Sequence, residues 1–537
     1  MSLGIRGLVG WLMALSVTSL AAASDDLRLV EAAKSQDTRV MQRLLQQHVD
    51  PNTPQPDGAT ALHWAAHWDD VTMADLLIRA RANVNATNEL GITPLSLACT
   101  NRNATMVGKL LTAGANPNAA LPTGESPLMT CARTGSAAAV RALLIRGAKV
   151  NEKETSKRQT ALMWGVVGHH PDVVQLLIEV GADVNARSAI TPVRVYTGMR
   201  YITSPPAESA GTVVELPEGG FTPLLFAAQQ GEIESAKFLL AAGANLRDAA
   251  PTGTTALVVA AHSGHGAFAK FLLDVGADAN AAGAGYTALH AAVLRGDLDL
   301  VKALLGHGAD PNAQLLKGTP VRKYGQDYAL SAAWIGATPI WLAAAFGEPE
   351  IMRALAAGGA DPTFKMKDGT TTLLAAVPRG LGQQDRRERY MSPVEIAAKE
   401  PDEDERITLE TVKAAVDLGA DINAVNQAGD TVAHLLTSAG FNSAIQFVAD
   451  KGGNLSVKNQ RGLTPLALAT GARGPRTRPS AAAASSSGAN AGGGAGTAVA
   501  GNGGAALNAV AADAFPFADP NRLKGTADLL RKLGATQ

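Results

Sequence analysis

The sequence predicts an all-α protein, built as a solenoid of about 11–12 helix-turn-helix units joined by β-turn fingers, in which each unit packs on its neighbours. A Thr or Ser that opens a short apolar helix pattern recurs along the chain, and seven of the ten intervals between copies lie within one residue of 33. A Leu-Leu pair followed by a Gly-Ala turn recurs later in the units, as in "VQLLIEVGADVN". The recurring residues are Thr60, Thr93, Ser126, Thr160, Thr222, Thr255, Thr287, Thr338, Thr371, Thr431 and Thr464.

Length and composition agree with this architecture. A chain of 537 residues is too long for one compact core, whereas a repeat array grows lengthwise without that limit. Apolar residues make up 46% and aromatic residues 4% of the chain, which suits short, closely packed helices better than a β-sandwich. The 47 basic and 48 acidic residues give a net charge of −1, so nucleic acid is a poor candidate partner. The acidic run Glu400–Glu405 is expected to form a solvated loop.

The N-terminal residues 1–23 are typical of a secretory signal peptide. Arg6 precedes an apolar stretch from Leu8 to Leu20, and Ala21–Ala23 supplies a small-residue cleavage pattern. An uncleaved membrane anchor is the alternative, because the positive region is weak. No later segment is long and apolar enough to cross a bilayer, so we expect a soluble periplasmic or secreted protein without an integral membrane segment after cleavage.

The first helix of a unit begins with a hydroxyl cap. Thr-Pro pairs open the helices at Thr93, Thr222, Thr338 and Thr464, where the hydroxyl can accept an orphan backbone N–H and proline loses no bond. The second helix ends in a glycine such as Gly181 or Gly308, which suits a left-handed C-terminal position.

These features together resemble the ankyrin repeat, a β-turn followed by two antiparallel helices. The resemblance covers residues about 25–470, and the "TALH" and "TPL" openings match the family's T-P-L-H-x-A pattern. His63, His290 and His434 occupy the histidine position, whereas Ser96, Trp341 and Leu225 replace it and must substitute or lose its hydrogen bond. The wider pattern also resembles exported, bacterial-type ankyrin proteins with long inserts, which brings no assigned activity.

The repeats divide the chain into segments. We predict an N-terminal capping repeat at 24–56 and further repeats at 57–185, 219–312 and 337–470, separated by inserts at 186–218 and 313–336. The first insert is not helical in pattern, and the aromatic and basic residues of both inserts favour a contact surface over a passive loop. A third insert near 377–407 is ambiguous, since "SPVEIAAKE" at Ser392 could be a first helix. The 33-residue register favours "TTLLAAV" at Thr371 instead.

The C-terminal region combines a linker with a returning helix. Residues 471–520 are rich in Ala, Gly and Ser and predict a disordered linker, and 521–537 predicts a capping helix. Because "TADLLRKLGA" mirrors the second helix of a repeat, we expect it to complete the unit that begins at Thr464.

Few residues suggest chemistry. Cys99 and Cys131 occupy adjacent but different helical positions, which favours two buried thiols over a disulfide. His169 and His170 are neighbours that should face different ways, so we expect no metal to bind there, and no phosphate-binding or nucleophile motif is present. The sequence therefore predicts no catalytic residue, no metal site and no cofactor.

The family resemblance implies a partner-binding groove lined by the β-turn tips and the exposed ends of the first helices. Trp64 and Trp164, further into the first helix, are expected in the core. Aromatic and arginine side chains are common anchors of interfaces. The candidate partner-binding residues are His67, Trp68, Phe221, Gln229, Gln230, His262, Tyr286, Arg295 and Phe346.

The leading hypothesis is an exported scaffold that binds a protein or peptide partner in this groove without catalysis. A secreted effector that binds proteins of another cell is the alternative, and an enzyme with a site built by the inserts is the third possibility. A binding scaffold and an enzyme would be separated by whether the purified chain carries a stoichiometric metal or cofactor.

Overall fold

The computed structural model describes residues 26–197, 212–318, 330, 334–378, 402–472 and 520–537. The predicted signal peptide, the Ser392 segment and residues 473–519 of the predicted linker lie outside the described residues. The chain divides into two compact units, one comprising Met1–Pro192 with Pro217–Thr252 and the other Val193–Leu216 with Gly253–Gln537.

Unit 1 contains six pairs of short helices in its described residues. The pairs are α1 (Arg28–Lys34) with α2 (Thr38–Gln46), α3 (Ala61–His67) with α4 (Val71–Arg79), α5 (Pro94–Thr100) with α6 (Ala104–Thr112), α7 (Pro127–Thr134) with α8 (Ala137–Ile145), α9 (Ala161–Val167) with α10 (Pro171–Glu179), and α11 (Pro223–Gln230) with α12 (Ile233–Ala241).

Unit 2 also contains six described pairs. They are α13 (Ala256–Ser263) with α14 (Gly266–Asp274), α15 (Ala288–Arg295) with α16 (Leu298–Gly306), α17 (Pro339–Phe346) with α18 (Pro349–Ala357), α19 (Thr372–Ala375) with α20 (Glu403–Asp417), α21 (Val432–Ala439) with α22 (Asn442–Asp450), and α23 (Pro465–Ala469) with α24 (Pro520–Lys532). The predicted number of helix pairs is confirmed.

Within each unit the helices form two layers. Each first helix packs against the first helix of the next pair, as α3, α5 and α7 do, and each second helix contacts its counterpart in the same way. The apolar side chains between the layers are closed to solvent, and Leu62, Met73 and Leu77 are fully buried. No pair could bury this face alone, so stacking itself supplies the hydrophobic stabilisation.

The hydroxyl caps form as predicted in most pairs. The hydroxyl of Thr93 accepts the backbone N–H of Ser96 at 3.1 Å, and Thr464 accepts that of Ala467 at 3.2 Å. Thr338 is an exception, because its buried Oγ1 has no hydrogen-bond partner. Gly181 and Gly308 adopt φ values of 88° and 79°, the left-handed region expected after the second helix.

An asparagine clamp joins successive repeats. The Asn85 amide donates to the Gly114 carbonyl at 3.0 Å and its oxygen accepts the Asn116 N–H at 2.7 Å, one repeat further on. The clamp continues across the first insert, where Asn185 bonds Gly243 and Asn245 at 3.2 and 3.0 Å. Asn312 likewise reaches Gly359 and Asp361 across the second insert. Both inserts are therefore excursions from an unbroken stack.

The first two inserts are extensions of β-turn fingers. In an ordinary finger, the Asn88 N–H donates to the Ile92 carbonyl at 3.1 Å and so closes the turn. The same closing bond joins Ser188 to Phe221 around the first insert and Leu315 to Ala337 around the second. Beyond Ser188 the chain forms two paired strands, β1 (Ile190–Thr197) and β2 (Thr212–Gly219), which confirms that this insert is not helical.

The third insert is different, because it lies between the two helices of one pair. Helix α19 has only four residues, and α20 begins at Glu403, inside the predicted insert. The expectation of a loop is therefore wrong for Glu403, Asp404 and Glu405, which form the first turn of α20. Carboxylates are stabilised there by the positive end of the helix dipole.

The C-terminal helix completes the last repeat, as predicted. Helix α24 packs on α23 and α21, with Ala527 and Leu530 buried in the contact. The buried Thr526 hydroxyl donates to the Asn442 side chain at 2.7 Å, and the Thr536 N–H donates to Ser456 at 2.9 Å.

The prediction of free thiols is wrong, because Cys99 and Cys131 form a disulfide with their Cα atoms 4.7 Å apart. The two cysteines lie six and five residues after their capping residues, so they do sit at different helical positions. On neighbouring parallel helices, however, two side chains meet only if one points towards the next repeat and the other points towards the preceding repeat. The offset that seemed to separate the thiols is what brings them together across the α5–α7 contact.

Among the described residues, no helix has the length and apolarity needed to cross a membrane.

Candidate partner-binding face

One face of the first helices in unit 1 is left uncovered by the stacking except at the buried Thr130. Its residues follow the capping Thr or Ser by four, seven and eight positions, and we call this surface the first-helix face of unit 1. It consists of Trp64, His67, Trp68, Leu97, Thr100, Asn101, Thr130, Arg133, Thr134, Trp164, Val167, Gly168, Phe226, Gln229 and Gln230.

An aromatic cluster lies at one end of this face. The rings of Trp64 and Trp68 stack at 6.4 Å with an interplanar angle of 27°, and His67 contacts both indoles edge-on. The Trp64 Nε1–H donates to Gln55 of the adjoining finger at 3.2 Å, which fixes the indole plane. Trp68 remains 43% exposed, an unusual state for so large an apolar side chain.

The expectation that Trp64 and Trp164 belong to the core is wrong. Both are half-buried, as are Leu97 and Phe226, and all four follow their capping residue by four positions. One helical turn after the cap, a first helix turns this position away from the second-helix layer. The shared offset was visible in the sequence and could have identified these residues as a row.

Arg133 occupies the middle of the face. Its guanidinium lies 5.0 Å from the centre of the Trp164 ring, a cation–π contact, and bonds the Glu125 carboxylate at 3.3 Å. The same carboxylate accepts the Thr130 hydroxyl at 2.8 Å. Arg133 is thus held against an indole while its side chain remains 53% exposed.

The far end of the face contains the remaining candidates of unit 1. Phe221 and Phe226 are both half-buried and meet edge-to-face at 5.5 Å. Gln229 is exposed and Gln230 half-buried at the end of α11. Phe221, from the finger, therefore borders the same surface as the first-helix residues.

The paired histidines bond residues of neighbouring repeats. His169 Nδ1 lies 2.9 Å from the Glu232 carboxylate, whereas His170 Nε2 bonds the Arg133 carbonyl at 3.0 Å. The two rings face different ways, as predicted. Across the described part of the chain, no three His, Cys, Asp or Glu side chains converge as metal ligands.

The candidates in unit 2 are less open. Arg295 Nε donates to the His262 carbonyl at 2.6 Å, and the His262 ring lies 6.1 Å from that of Tyr286. His262 and Arg295 are half-buried, but Tyr286 is only 8% exposed, and this burial raises its pKa to about 12. The expected exposure of Tyr286 is therefore wrong.

The expected exposure of Phe346 is also wrong, because a residue of the second insert covers it. Trp334 meets Phe346 edge-to-face at 5.3 Å, leaving these side chains 9% and 4% exposed. Trp334 lies in the finger that precedes α17, and its ring packs on Phe346 at the C-terminal end of that helix. No periodic signal in the sequence indicated this cover.

Two histidines of the family pattern, His63 and His434, connect their first helix to the next finger. His63 Nδ1 accepts the Thr60 N–H at 3.0 Å, and its Nε2 donates to the Ile92 carbonyl at 3.0 Å. His434 makes the corresponding bond to Leu463 at 3.0 Å. Where tryptophan replaces histidine, the Trp341 Nε1–H reaches the equivalent carbonyl of Thr370 at 3.3 Å. Burial lowers the pKa of His63 and His434, so these rings act as neutral structural groups.

The match to a protein-family model agrees with this architecture. The family model described as ankyrin repeats (3 copies) matches residues 29–120, 104–188 and 224–314. Among solved structures, the chain is similar to the human ASB11 ankyrin repeat domain at 26% identity and a TM-score of 0.35, covering 43% of this chain and 90% of that one. No curated protein gave a significant match. With its stacked helix pairs, capped first helices and histidine-to-finger bonds, the chain is an ankyrin-repeat protein along the matched residues 29–188 and 224–314.

Proposed function

We propose that this protein is an exported scaffold that binds a protein partner along the first-helix face of unit 1 and performs no chemistry. Ankyrin repeats are protein–protein interaction modules, and the family match supports a protein partner in general terms. The proposal goes further in naming the surface.

One observation carries it, the row of half-buried Trp64, Leu97, Trp164 and Phe226, bordered by the exposed Trp68. Tryptophan is among the residues most enriched at interface hot spots, because a large ring that is already partly packed loses little entropy on binding. Half-buried indoles in register along one face would give a partner several such anchors. The exposed apolar residues Leu90 and Ile145, by contrast, stand outside this row.

Capture of the partner tests this surface. The mature chain is immobilised and exposed to an envelope extract, and the retained protein is identified and its affinity measured. Replacing both Trp64 and Trp164 by Ala should weaken retention at least tenfold, since loss of a hot-spot anchor costs about 2 kcal/mol or more. Ile145→Ala is the matched control, because Ile145 is 76% exposed at the end of a second helix. Undiminished retention by a folded double variant would remove this face from consideration.

Export is the second part of the proposal. The signal-like residues 1–23 support it, and so does the buried disulfide, since such bonds persist mainly in oxidising compartments. Fractionation of the producing cell, with N-terminal sequencing of the mature protein, tests it. A chain found in the cytoplasm that begins at residue 1 would contradict export while leaving the binding surface untouched.

A further inference from the structure

The continuous apolar row of the first-helix face of unit 1 is one side chain wide, and Trp68 and Val167 are the exposed apolar side chains beside it. The positions four residues after the cap hold Trp64, Leu97, Trp164 and Phe226, whereas the positions seven and eight residues after it are mostly polar. Asn101, for example, donates to the Ala66 and His67 carbonyls at 3.0 and 2.8 Å and so presents a bonded polar group beside the row.

The spacing of this row follows from the stacking of the helices. Successive first helices pack directly on one another, and packed helices lie about 8–10 Å apart. A side chain at a fixed offset from each cap therefore recurs with that spacing. A ligand that contacts every repeat must present an apolar group at the same interval and always on the same side.

A polyproline II helix has this geometry. It rises about 3.1 Å per residue with three residues per turn, so every third residue returns to the same side after roughly 9 Å. In a β-strand, successive side chains point to opposite faces, so two residues three positions apart lie on opposite sides of the strand. An amphipathic α-helix presents an apolar stripe at least about 100° wide, which a single row with apolar neighbours only at Trp68 and Val167 would leave partly unmatched.

The charges on the face are of one sign. None of the positions four, seven or eight residues after the caps of α3, α5, α7, α9 and α11 holds Asp or Glu, although the chain has 48 such residues. Cations lie against both indoles of the row, Lys34 at 5.6 Å from the Trp64 ring and Arg133 at 5.0 Å from the Trp164 ring. The carboxylates that border the face are already bonded to it, Glu125 to Thr130 and Arg133 and Asp69 to Asn101.

We propose that the first-helix face of unit 1 binds an acidic, proline-rich segment of its partner in the polyproline II conformation, one turn of the ligand per repeat. Proline at every third residue packs on Trp64, Leu97, Trp164 and Phe226, and the intervening carboxylates approach Lys34 and Arg133. Thr130, buried in the central repeat, leaves room there for a polar residue of the ligand. This inference depends on the proposed function, because it names the chemistry of the partner at the same surface.

Three synthetic peptides test the inference by calorimetric titration into the full mature chain. The probes are (Pro-Pro-Glu)5, (Pro-Pro-Lys)5 and an acidic amphipathic α-helical peptide of equal length and charge to the first. We expect (Pro-Pro-Glu)5 to bind at least tenfold more tightly than either other peptide. The double substitution of Trp64 and Trp164 by Ala should lower its affinity at least tenfold, whereas Ile145→Ala should not.

Arg133→Gln separates the charge contribution from packing. It should weaken (Pro-Pro-Glu)5 several-fold at low salt and reduce the dependence of its affinity on salt. The inference is overturned if the helical or basic peptide binds as tightly as (Pro-Pro-Glu)5, or if (Pro-Pro-Glu)5 binding survives loss of both tryptophans. If a captured partner requires Trp64 and Trp164 while (Pro-Pro-Glu)5 does not bind, the polyproline inference fails and the proposed function stands. If the double variant without Trp64 and Trp164 retains the captured partner as well as the wild type does, the proposed function fails.

Discussion

The most informative single residues are the ones that join a first helix to the following finger. His63, His434 and Trp341 place an N–H on the same carbonyl position of the next repeat, with two different side chains. His290 holds the same position but its Nε2 has no hydrogen-bond partner, and here the second insert lies in the following finger. The same residue type at the same position of the repeat therefore differs in this bond.

His290 should make stability depend on pH. Burial lowers its pKa from 6.5 to about 4, against weaker opposing effects from nearby carbonyls and Asp310. The unfolded chain therefore binds the proton first, and the stability due to the neutral ring is complete above pH 6.5 and declines as pH falls towards 4. The shift corresponds to about 3 kcal/mol.

Urea unfolding measured between pH 7 and pH 4 tests this prediction. His290→Gln keeps an acceptor for the Thr287 cap but does not titrate, so the variant should lose less stability on acidification than the wild type. His307→Gln, at a half-exposed position, serves as the control and should follow the wild-type curve. Parallel curves for all three proteins would show that His290 does not titrate differently on unfolding.

The disulfide gives a second prediction at this scale. Cys99 and Cys131 are both 0% exposed, so reductant should not cleave the bond in the folded protein. Replacing both cysteines by Ala should lower the free energy of unfolding by about 2–4 kcal/mol. The test is alkylation of the protein, purified in its native state and then unfolded in denaturant without reductant. Neither cysteine should be labelled, and labelling of both would contradict the disulfide.

At the scale of elements, the sequence predicted most of what repeats and missed what does not. The caps, the glycine ends and the returning helix α24 follow from local signals that recur in phase. The strands β1 and β2 and the early start of α20 at Glu403 have no such repeat to identify them. The predicted third insert also extended too far towards the C-terminus, because charge alone cannot distinguish a solvated loop from the first turn of a helix.

Helix α24 should be needed for the last repeat to hold its structure. Leu530 is fully buried against the preceding helices, whereas Lys532 is exposed on the same helix. Leu530→Asp introduces an unpaired charge into this contact and should undock the helix, whereas Lys532→Asp should not.

Hydrogen exchange of the amides in α21 and α23 measures the docking. Exchange in both helices should accelerate in the Leu530→Asp variant, while exchange in α3 to α9, within unit 1, stays unchanged. Equal exchange in the two variants would mean that the last repeat is stable without α24.

For the whole molecule, the sequence sufficed for the fold because an ankyrin array is specified by contacts between neighbouring repeats. It was less informative about the candidate site. The offset of four residues after the cap identifies Trp64 and Trp164, but exposure depends on what packs above a position. Phe346 is an example, because it is covered by Trp334, a residue of the second insert whose position the 33-residue repeat does not predict. Trp68 and Phe346 hold equivalent positions after their caps and have opposite exposures.

The most direct test of the account is an exchange footprint of the full chain with its captured partner. We expect slowed amide exchange in the fingers and first-helix ends around residues 60–68, 93–101, 126–134, 160–168 and 222–230, with the second helices α4, α6, α8 and α10 unaffected. Protection confined to those second helices, or to unit 2, would contradict the claim that the first-helix face of unit 1 holds the partner.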